Sequence, residues 1–75
     1  MLPMDLTNAS KIIGERLRQI REATRKSISE AATEAGVAPE TLSKIEDGKA
    51  DLRILTLWRL CKVYNVTLGE VLEDF

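Results

Sequence analysis

Histidine is absent from the sequence, and cysteine occurs once, as Cys61. A lone cysteine cannot form an internal disulfide, and a chain without histidine lacks the commonest ligand of zinc sites. The absence of histidine also excludes histidine-based acid–base catalysis. We expect Cys61 to be a small buried thiol without a reactive role, because it lies within an apolar helical stripe. The fold must therefore be held together by packed apolar side chains.

Long hydrophobic runs and targeting signals are also missing. No apolar run approaches the ~18 residues that span a bilayer, and the N-terminal segment MLPMDLTNAS lacks the basic start and apolar stretch of a signal peptide. The glycines are isolated, so none forms a phosphate-binding loop, and no nucleophile–base pair or carboxylate pair is recognisable. We therefore expect a soluble, cytoplasmic protein that is not an enzyme, with no metal, no cofactor and no small-molecule ligand.

The composition is that of one small globular domain, with 44% hydrophobic and 31% charged residues among 75. The net charge of −1 argues mildly against nucleic-acid binding, which depends on neutralising phosphates. The distribution is uneven, however: residues 11–26 hold six basic and two acidic residues, whereas three acids and no base follow Lys62. This polarity fits a basic binding face and equally fits ordinary solvated helix surfaces.

Apolar residues recur at helical spacing between regular capping residues, glycines and prolines. Five short helices are predicted, and the first covers residues 10–25. The second begins with a capping box of Ser27 and Glu30 and ends at Gly36, and the third runs from Pro39 to just before Gly48. The fourth covers residues 52–64 and is ended by Asn65, and the fifth begins with a second capping box of Thr67 and Glu70 and ends near Phe75. Asn8 or Ser10 is expected to cap the first helix, and Asp51 the fourth. Residues 1–9 are predicted to be a mobile arm and residues 10–75 the folded domain.

The second and third predicted helices are joined by a tight turn over residues 35–38. A small residue in the first of them, Ala32, and a glycine in the turn, Gly36, suit the close packing and sharp reversal of a helix-turn-helix. Val37, Leu42 and Ile45 would seal the pair onto the core. By geometry alone, an ordinary helical hairpin remains an alternative.

Three stretches of this sequence resemble the phage repressor/Cro-like, or XRE-like, helix-turn-helix family. They are IGERLRQIRE at 13–22, SISEAATEAGVAPETLSKIEDGK at 27–49 and LTLWRLCKVYNVTLGEVL at 55–72. The resemblance implies an all-α, five-helix, lambda-repressor-like DNA-binding domain with the helix-turn-helix at helices 2 and 3. It also implies a homodimeric transcriptional regulator, often a repressor, whose third helix reads the major groove of a palindromic double-stranded DNA operator.

The resemblance assigns particular positions. It places four residues at base-facing positions on the third helix: Pro39, Glu40, Ser43 and Lys44. It matches Arg21 and Glu46 to a buried ion pair that supports the reading helix. Phosphate contacts are expected around them, from Lys26, Ser27, Ser29, Thr41, Lys49 and Arg53. Glu40 has an alternative role, because a carboxylate in the first turn complements the helix dipole.

Some positions depart from the family pattern. Ile28 stands where the family usually has a Gln that contacts the DNA backbone, and Leu52 replaces a common proline. Lys26 and Ala31 occupy positions where Leu is usual. Residues 26–53 contain four basic and six acidic residues, a poor electrostatic footprint for DNA. A monomer is therefore expected to bind weakly, which favours a dimer that doubles the contacts.

The predicted fourth helix has more apolar residues than one core-facing stripe requires. We expect a two-fold dimer interface formed by Leu55, Trp58, Val66, Leu68, Val71 and Phe75. Alternatively, Leu55 and Trp58 are single exposed apolar residues, which are common. A second functional hypothesis is an antitoxin-like or other protein-interaction module that binds a protein partner through its apolar, acidic C-terminal face.

Overall fold

The computed structural model describes residues 6–50 and 52–73. Within these ranges the chain is all-α and forms five helices without a strand, which confirms the predicted fold class. The helices are α1 (Leu6–Ala23), α2 (Ile28–Ala35), α3 (Pro39–Glu46), α4 (Ile54–Tyr64) and α5 (Leu68–Leu72). None of them is both long and apolar enough to cross a membrane.

Helix α1 begins earlier than the sequence predicted. It already includes residues 6–9, which were assigned to a mobile arm, while residues 1–5 of that arm lie outside the described residues. Asn8 and Ser10 are therefore inside the helix, and neither is its N-cap. Residues 6–13 contain neither glycine nor proline, so nothing local prevents the helix from starting there. Ala9, Ser10 and Ile13 line an apolar groove together with residues that follow α3.

Four of the helices end with the same backbone arrangement. In each, a residue with positive φ follows the last turn. The amide of the residue after it donates to the carbonyl five residues earlier, so a carbonyl of the last turn that lacks a partner within the helix gains one. The left-handed residues are Arg25 (φ 58°), Gly36 (φ 75°), Gly48 (φ 72°) and Asn65 (φ 57°). The closing bonds run from Lys26 to Arg21 (3.3 Å), Val37 to Ala32 (2.9 Å), Lys49 to Lys44 (2.9 Å) and Val66 to Cys61 (3.0 Å). The predicted ends at Gly36, Gly48 and Asn65 are thus confirmed.

The helix starts agree with prediction at α2 and α3 and differ at α4. Ser27 and Glu30 form the expected capping box, and Pro39 occupies the first turn of α3. Helix α4 starts at Ile54 rather than residue 52, after Arg53, which provides no side-chain cap. The expected cap of α4, Asp51, lies outside the described residues. Before α5, the Thr67 hydroxyl accepts from the amide three residues on, which is one half of the predicted capping box.

All five helices contribute buried apolar side chains to one core. Helix α1 packs against α3 and α5, α2 packs against α3 and α4, and α4 packs against α5. The buried apolar side chains are Leu17, Ala31, Ala32, Ala35, Leu42, Ile45, Leu57, Leu60, Cys61, Tyr64 and Val71. Each fully buried leucine contributes about 1.5–3 kcal/mol. Burial raises the pKa of the Cys61 thiol, which keeps it protonated and unreactive.

Candidate nucleic-acid interface

Helix α3 has one buried face and one exposed face. Leu42 and Ile45 pack into the core, and Glu46 is also buried. The four residues predicted to face bases, Pro39, Glu40, Ser43 and Lys44, all lie on the exposed side. Their spacing of three to four residues places them on one side of the helix. Thr41 is exposed as well. The structure therefore brings the predicted base-facing residues together on an accessible surface.

The turn that precedes α3 is tightly built. Gly36 adopts a left-handed φ of 75°, and the nearest heavy atom to a Cβ placed there, on Arg59, would be 4.0 Å away. Gly36 is thus favoured for its backbone conformation rather than for lack of space. On the α2 side, three buried alanines allow the close approach of α2 to its neighbours: Ala31, Ala32 and Ala35. This turn fixes where α3 begins.

The far end of α3 is held by an ion pair to α1. Arg21 Nε donates to Glu46 Oε2 at 2.7 Å, and a second guanidinium nitrogen donates to Oε1 at 3.1 Å. Arg21 also donates to the backbone carbonyl of Lys26 at 2.9 Å, so it joins α3, α1 and the loop before α2. The hydrogen bond to Glu46 raises the pKa of Arg21, so the guanidinium stays charged. The pair that the resemblance implied therefore forms in the structure.

A buried phenol lies near this ion pair and was missed by the sequence analysis. Burial raises the pKa of Tyr64 to about 12, with a further upward contribution from the negative charge of Glu46, so the phenol stays neutral. Its hydroxyl has no hydrogen-bond partner within the described part of the chain. In the sequence, Tyr64 is only one member of the apolar stripe of α4, and nothing in that spacing indicates a neighbouring charge.

Two predicted phosphate contacts are already engaged in contacts within the protein. The Ser27 hydroxyl accepts from the Glu30 amide at 3.0 Å, and the Glu30 carboxylate accepts from the Ser27 amide at 2.8 Å. This backbone contact lowers the pKa of Glu30, so a negative charge sits at the start of α2. Lys26 Nζ pairs with Glu34 at 3.0 Å. A phosphate at the start of α2 would therefore find only the backbone amides of its first two residues available.

The remaining phosphate candidates are accessible. Ser29, Thr41, Lys49 and Arg53 are all exposed. Lys44, Lys49 and Arg53 form no ion pair with any residue in 6–50 or 52–73. These three exposed cations lie on α3 or in the segment between α3 and α4, next to the predicted base-facing residues.

The residues predicted to form a dimer interface are divided between the surface and the core. Leu55 and Trp58 are 54% and 47% exposed, as the prediction requires. Val66 and Leu68 are partly buried against the core. Val71 is a correction: it is 0% exposed and belongs to the core of the protomer, because this side of α5 packs onto α1 and α4. Phe75 lies outside the described residues.

One exposed apolar residue was not predicted. Ile54, the first residue of α4, is 66% exposed. Ile54, Leu55 and Trp58 form what we call the α4 apolar patch. Ile54 also lines a groove of about 420 Å³ between α1 and α4. Lys62 lies over the Trp58 ring, 5.4 Å from its centroid, and covers part of one face.

Comparisons with known proteins identify relatives of this arrangement. A family model described as a helix-turn-helix domain matches residues 12–75. The chain is 36% identical over 61 residues to the HTH-type transcriptional regulator PuuR of Escherichia coli, covering 81% of this chain and 33% of PuuR. It is 33% identical over 63 residues to a putative HTH-type transcriptional regulatory protein of Methanoculleus marisnigri, covering 84% of this chain and 20% of the relative. The chain thus spans a third or less of the length of these curated relatives.

Solved structures share the fold. The clp gene regulator ClgR of Corynebacterium glutamicum superposes with a TM-score of 0.84 at 24% identity, over 93% of this chain and 70% of that one. An HTH_3 family transcriptional regulator of Vibrio cholerae also gives 0.84, at 22% identity, over 89% of this chain and 38% of that one. Because the family model covers most of the chain and the structure has the matching five helices, the chain belongs to the XRE-like helix-turn-helix family of DNA-binding transcriptional regulators.

Proposed function

We propose that the chain reads double-stranded DNA in a sequence-specific way by placing the exposed face of α3 in the major groove, as a dimeric repressor or small autoregulated controller in the cytoplasm. The observation that carries the proposal is the division of α3: Leu42, Ile45 and Glu46 anchor it, while Pro39, Glu40, Ser43 and Lys44 point outward. A rigidly held helix with one polar exposed face has the form that enters a major groove.

The chemistry of the exposed face supports base readout. Lys44 donates to guanine O6 or N7, a contact worth about 1–3 kcal/mol in discrimination. Glu40 accepts from cytosine N4, or alternatively it only complements the positive end of the α3 dipole. Ser43 bonds to a base or a phosphate, and Pro39 offers apolar contact to a thymine methyl.

Phosphate contacts around α3 set the docking. Lys49, Arg53, Ser29 and Thr41 are exposed and available for this role. Lys26 also takes part after leaving Glu34, because the pair is partly exposed and such pairs are worth at most about 1 kcal/mol. Ser27 keeps a hydroxyl proton to donate while its oxygen accepts from Glu30.

A dimer compensates for the small number of cations on each protomer. The α4 apolar patch supplies exposed Leu55 and Trp58, next to the groove between α1 and α4, for an isologous contact. Val66 and Leu68, which are only partly buried, add apolar surface to this contact. In such a dimer the two copies of α3 would lie about 34 Å apart, one turn of DNA. The same exposed patch also favours the second candidate function, a module that binds a different protein.

Selection from a random pool of duplexes tests the function. The purified chain is incubated with the pool at low salt, and bound duplexes are amplified and sequenced over several rounds. The proposal predicts enrichment of a palindrome whose half-sites are centred about 10 base pairs apart. If the pool stays random although circular dichroism shows the chain to be folded, sequence-specific binding is contradicted. The protein-interaction module would then be the better explanation of the fold's function.

A further inference from the structure

The backbone of α1 touches the last turn of α3 at Gly14. This glycine is buried, and a Cβ placed on it would overlap the carbonyl oxygen of Ile45 and lie 2.8 Å from the carbonyl oxygen of Glu46. Both atoms belong to the backbone, so no side-chain rotation could relieve the overlap. Glycine at position 14 is therefore what allows α1 to lie directly against the end of α3.

A second backbone contact lies immediately after α3. Gly48 has a φ of 72°, and a Cβ placed on it would lie 2.9 Å from the Cα of Lys11 and 2.7 Å from its Cγ. Lys11 and Gly14 are three residues apart, so they lie on the same face of α1. The end of α3 and the residue that closes it thus rest on one short stretch of α1.

The ion pair described above continues the same line of contact. Arg21 follows Gly14 by seven residues, two helical turns along α1, and reaches Glu46 in the last turn of α3. Lys11, Gly14 and Arg21 together form a stripe that contacts residues 45–48. Two of these contacts involve backbone on both sides, which makes the separation of the helices insensitive to side-chain motion.

We propose that Gly14 and Gly48 are positioning residues for DNA reading, because their close contacts set the depth and tilt at which α3 presents Glu40, Ser43 and Lys44. The inference rests on the proposed function of α3. An added methyl at Gly14 would displace the end of α3 by roughly 1 Å, whereas binding constellations must be held within about 0.5 Å. Neither glycine touches DNA in this account; each acts through the placement of α3.

The test compares Gly14→Ala with Gly69→Ala, a matched control. Gly69 also lies in a helix, but the nearest heavy atom to its added Cβ is 3.7 Å away, an ordinary contact. Affinities for the selected duplex and for a random duplex are measured at a temperature where circular dichroism shows each variant folded. The ratio of the two affinities is expected to fall about tenfold or more in Gly14→Ala, equivalent to losing one good base contact, and to stay unchanged in Gly69→Ala.

A role in stability alone gives a different result. Partial unfolding lowers both affinities by the same factor and leaves their ratio unchanged, and that outcome in Gly14→Ala overturns the inference. Amide chemical shifts provide an independent readout: Gly14→Ala is expected to move the signals of residues 39–48, and Gly69→Ala is not. Unmoved α3 signals would also overturn it.

A second pair of variants applies if Gly14→Ala does not fold. Gly48→Asn and Gly36→Asn place the same side chain at left-handed positions that asparagine tolerates, but only position 48 has α1 against it. The ratio is expected to fall in Gly48→Asn and to change less than about twofold in Gly36→Asn. Equal ratios in the two overturn the inference while leaving the proposed function intact. A wild-type chain without sequence preference would instead contradict the proposed function and, with it, the positioning role.

Discussion

Arg21 of α1 and Glu46 of α3 meet through two hydrogen bonds, of 2.7 Å and 3.1 Å, between residues 25 positions apart. Their side chains are only 13% and 3% exposed. A carboxylate this deeply buried depends on its partner, because an unpaired charge in the interior is strongly unfavourable. The pair therefore holds α3 in place and is not itself accessible for base contact.

Removal of the cation should be more damaging than removal of the anion. Arg21→Ala strands the buried Glu46 carboxylate and is expected to lower the free energy of unfolding by about 3–5 kcal/mol. Glu46→Ala should lower it by less, because Arg21 is more exposed and keeps the Lys26 carbonyl. Urea unfolding of both single variants and the double variant measures these values. Losses below about 1 kcal/mol that simply add would show that the pair is uncoupled.

Arg25 occupies a backbone conformation that suits glycine. Its φ is 58° where α1 ends, and this conformation costs a non-glycine residue about 1–2 kcal/mol. Glycine avoids that cost, but it loses more backbone entropy on folding, which offsets part of the gain. Arg25→Gly is therefore expected to stabilise the domain by about 0.5–1 kcal/mol, measured by thermal or urea unfolding. Asn65→Gly is the comparison, with a smaller gain expected because asparagine tolerates this conformation. A destabilised Arg25→Gly would contradict the account.

The helix ends show what could be predicted from sequence and what could not. Gly36, Gly48 and Asn65 have a residue-level preference for left-handed backbone, so the ends of three helices followed directly from their positions. Arg25 has no such preference, so its left-handed conformation was not predicted, although the first helix was predicted to end near it. Similarly, the start of α1 at Leu6 was not predicted, because Asn8 and Ser10, which suit a helix cap, lie inside the helix.

Acid should destabilise the domain partly through protonation of Glu30 at the start of α2, and Glu30→Gln should remove that part of the pH dependence. The pKa of Glu30 is lowered in the folded state by its contacts with Ser27, so its stabilising contribution is complete above the unfolded pKa and is lost as pH falls through the folded pKa. Glutamine also completes a capping box but does not titrate in this range. The Tm of Glu30→Gln is therefore expected to fall less than the Tm of the wild type when the pH is lowered from about 6 to about 3.5. Glu22→Gln, at an exposed site outside the box, is the control, and identical losses in wild type and Glu30→Gln would contradict the prediction.

The candidate site was also only partly predictable. The outward direction of Ser43 and Lys44 follows from the spacing of Leu42 and Ile45 within one helix. The contact of Gly14 with α3 does not, because helical spacing shows which face is packed and not which backbone atoms meet it. Likewise, the assignment of Val71 to the surface was wrong because periodicity cannot say how many neighbours surround a five-residue helix.

The α4 apolar patch should decide the oligomeric state. Trp58→Ala removes the largest exposed side chain of the patch, and we expect the molecular mass in solution to fall from that of a dimer to that of a monomer at micromolar concentration. Sedimentation equilibrium measures the mass, and Arg59→Ala, an exposed neighbour on the same helix, is the control. A wild-type monomer, or a dimer that persists in Trp58→Ala, would exclude this residue from the interface.

The most direct test of base reading by α3 is the binding of Lys44→Ala to the selected duplex and to versions with single base-pair changes. The account predicts that the variant loses about 1–3 kcal/mol on the selected duplex and no longer discriminates at one base pair in each half-site. Lys49→Ala should weaken binding to all duplexes alike. If Lys44→Ala discriminates every base pair as the wild type does, the exposed face of α3 does not read DNA as proposed.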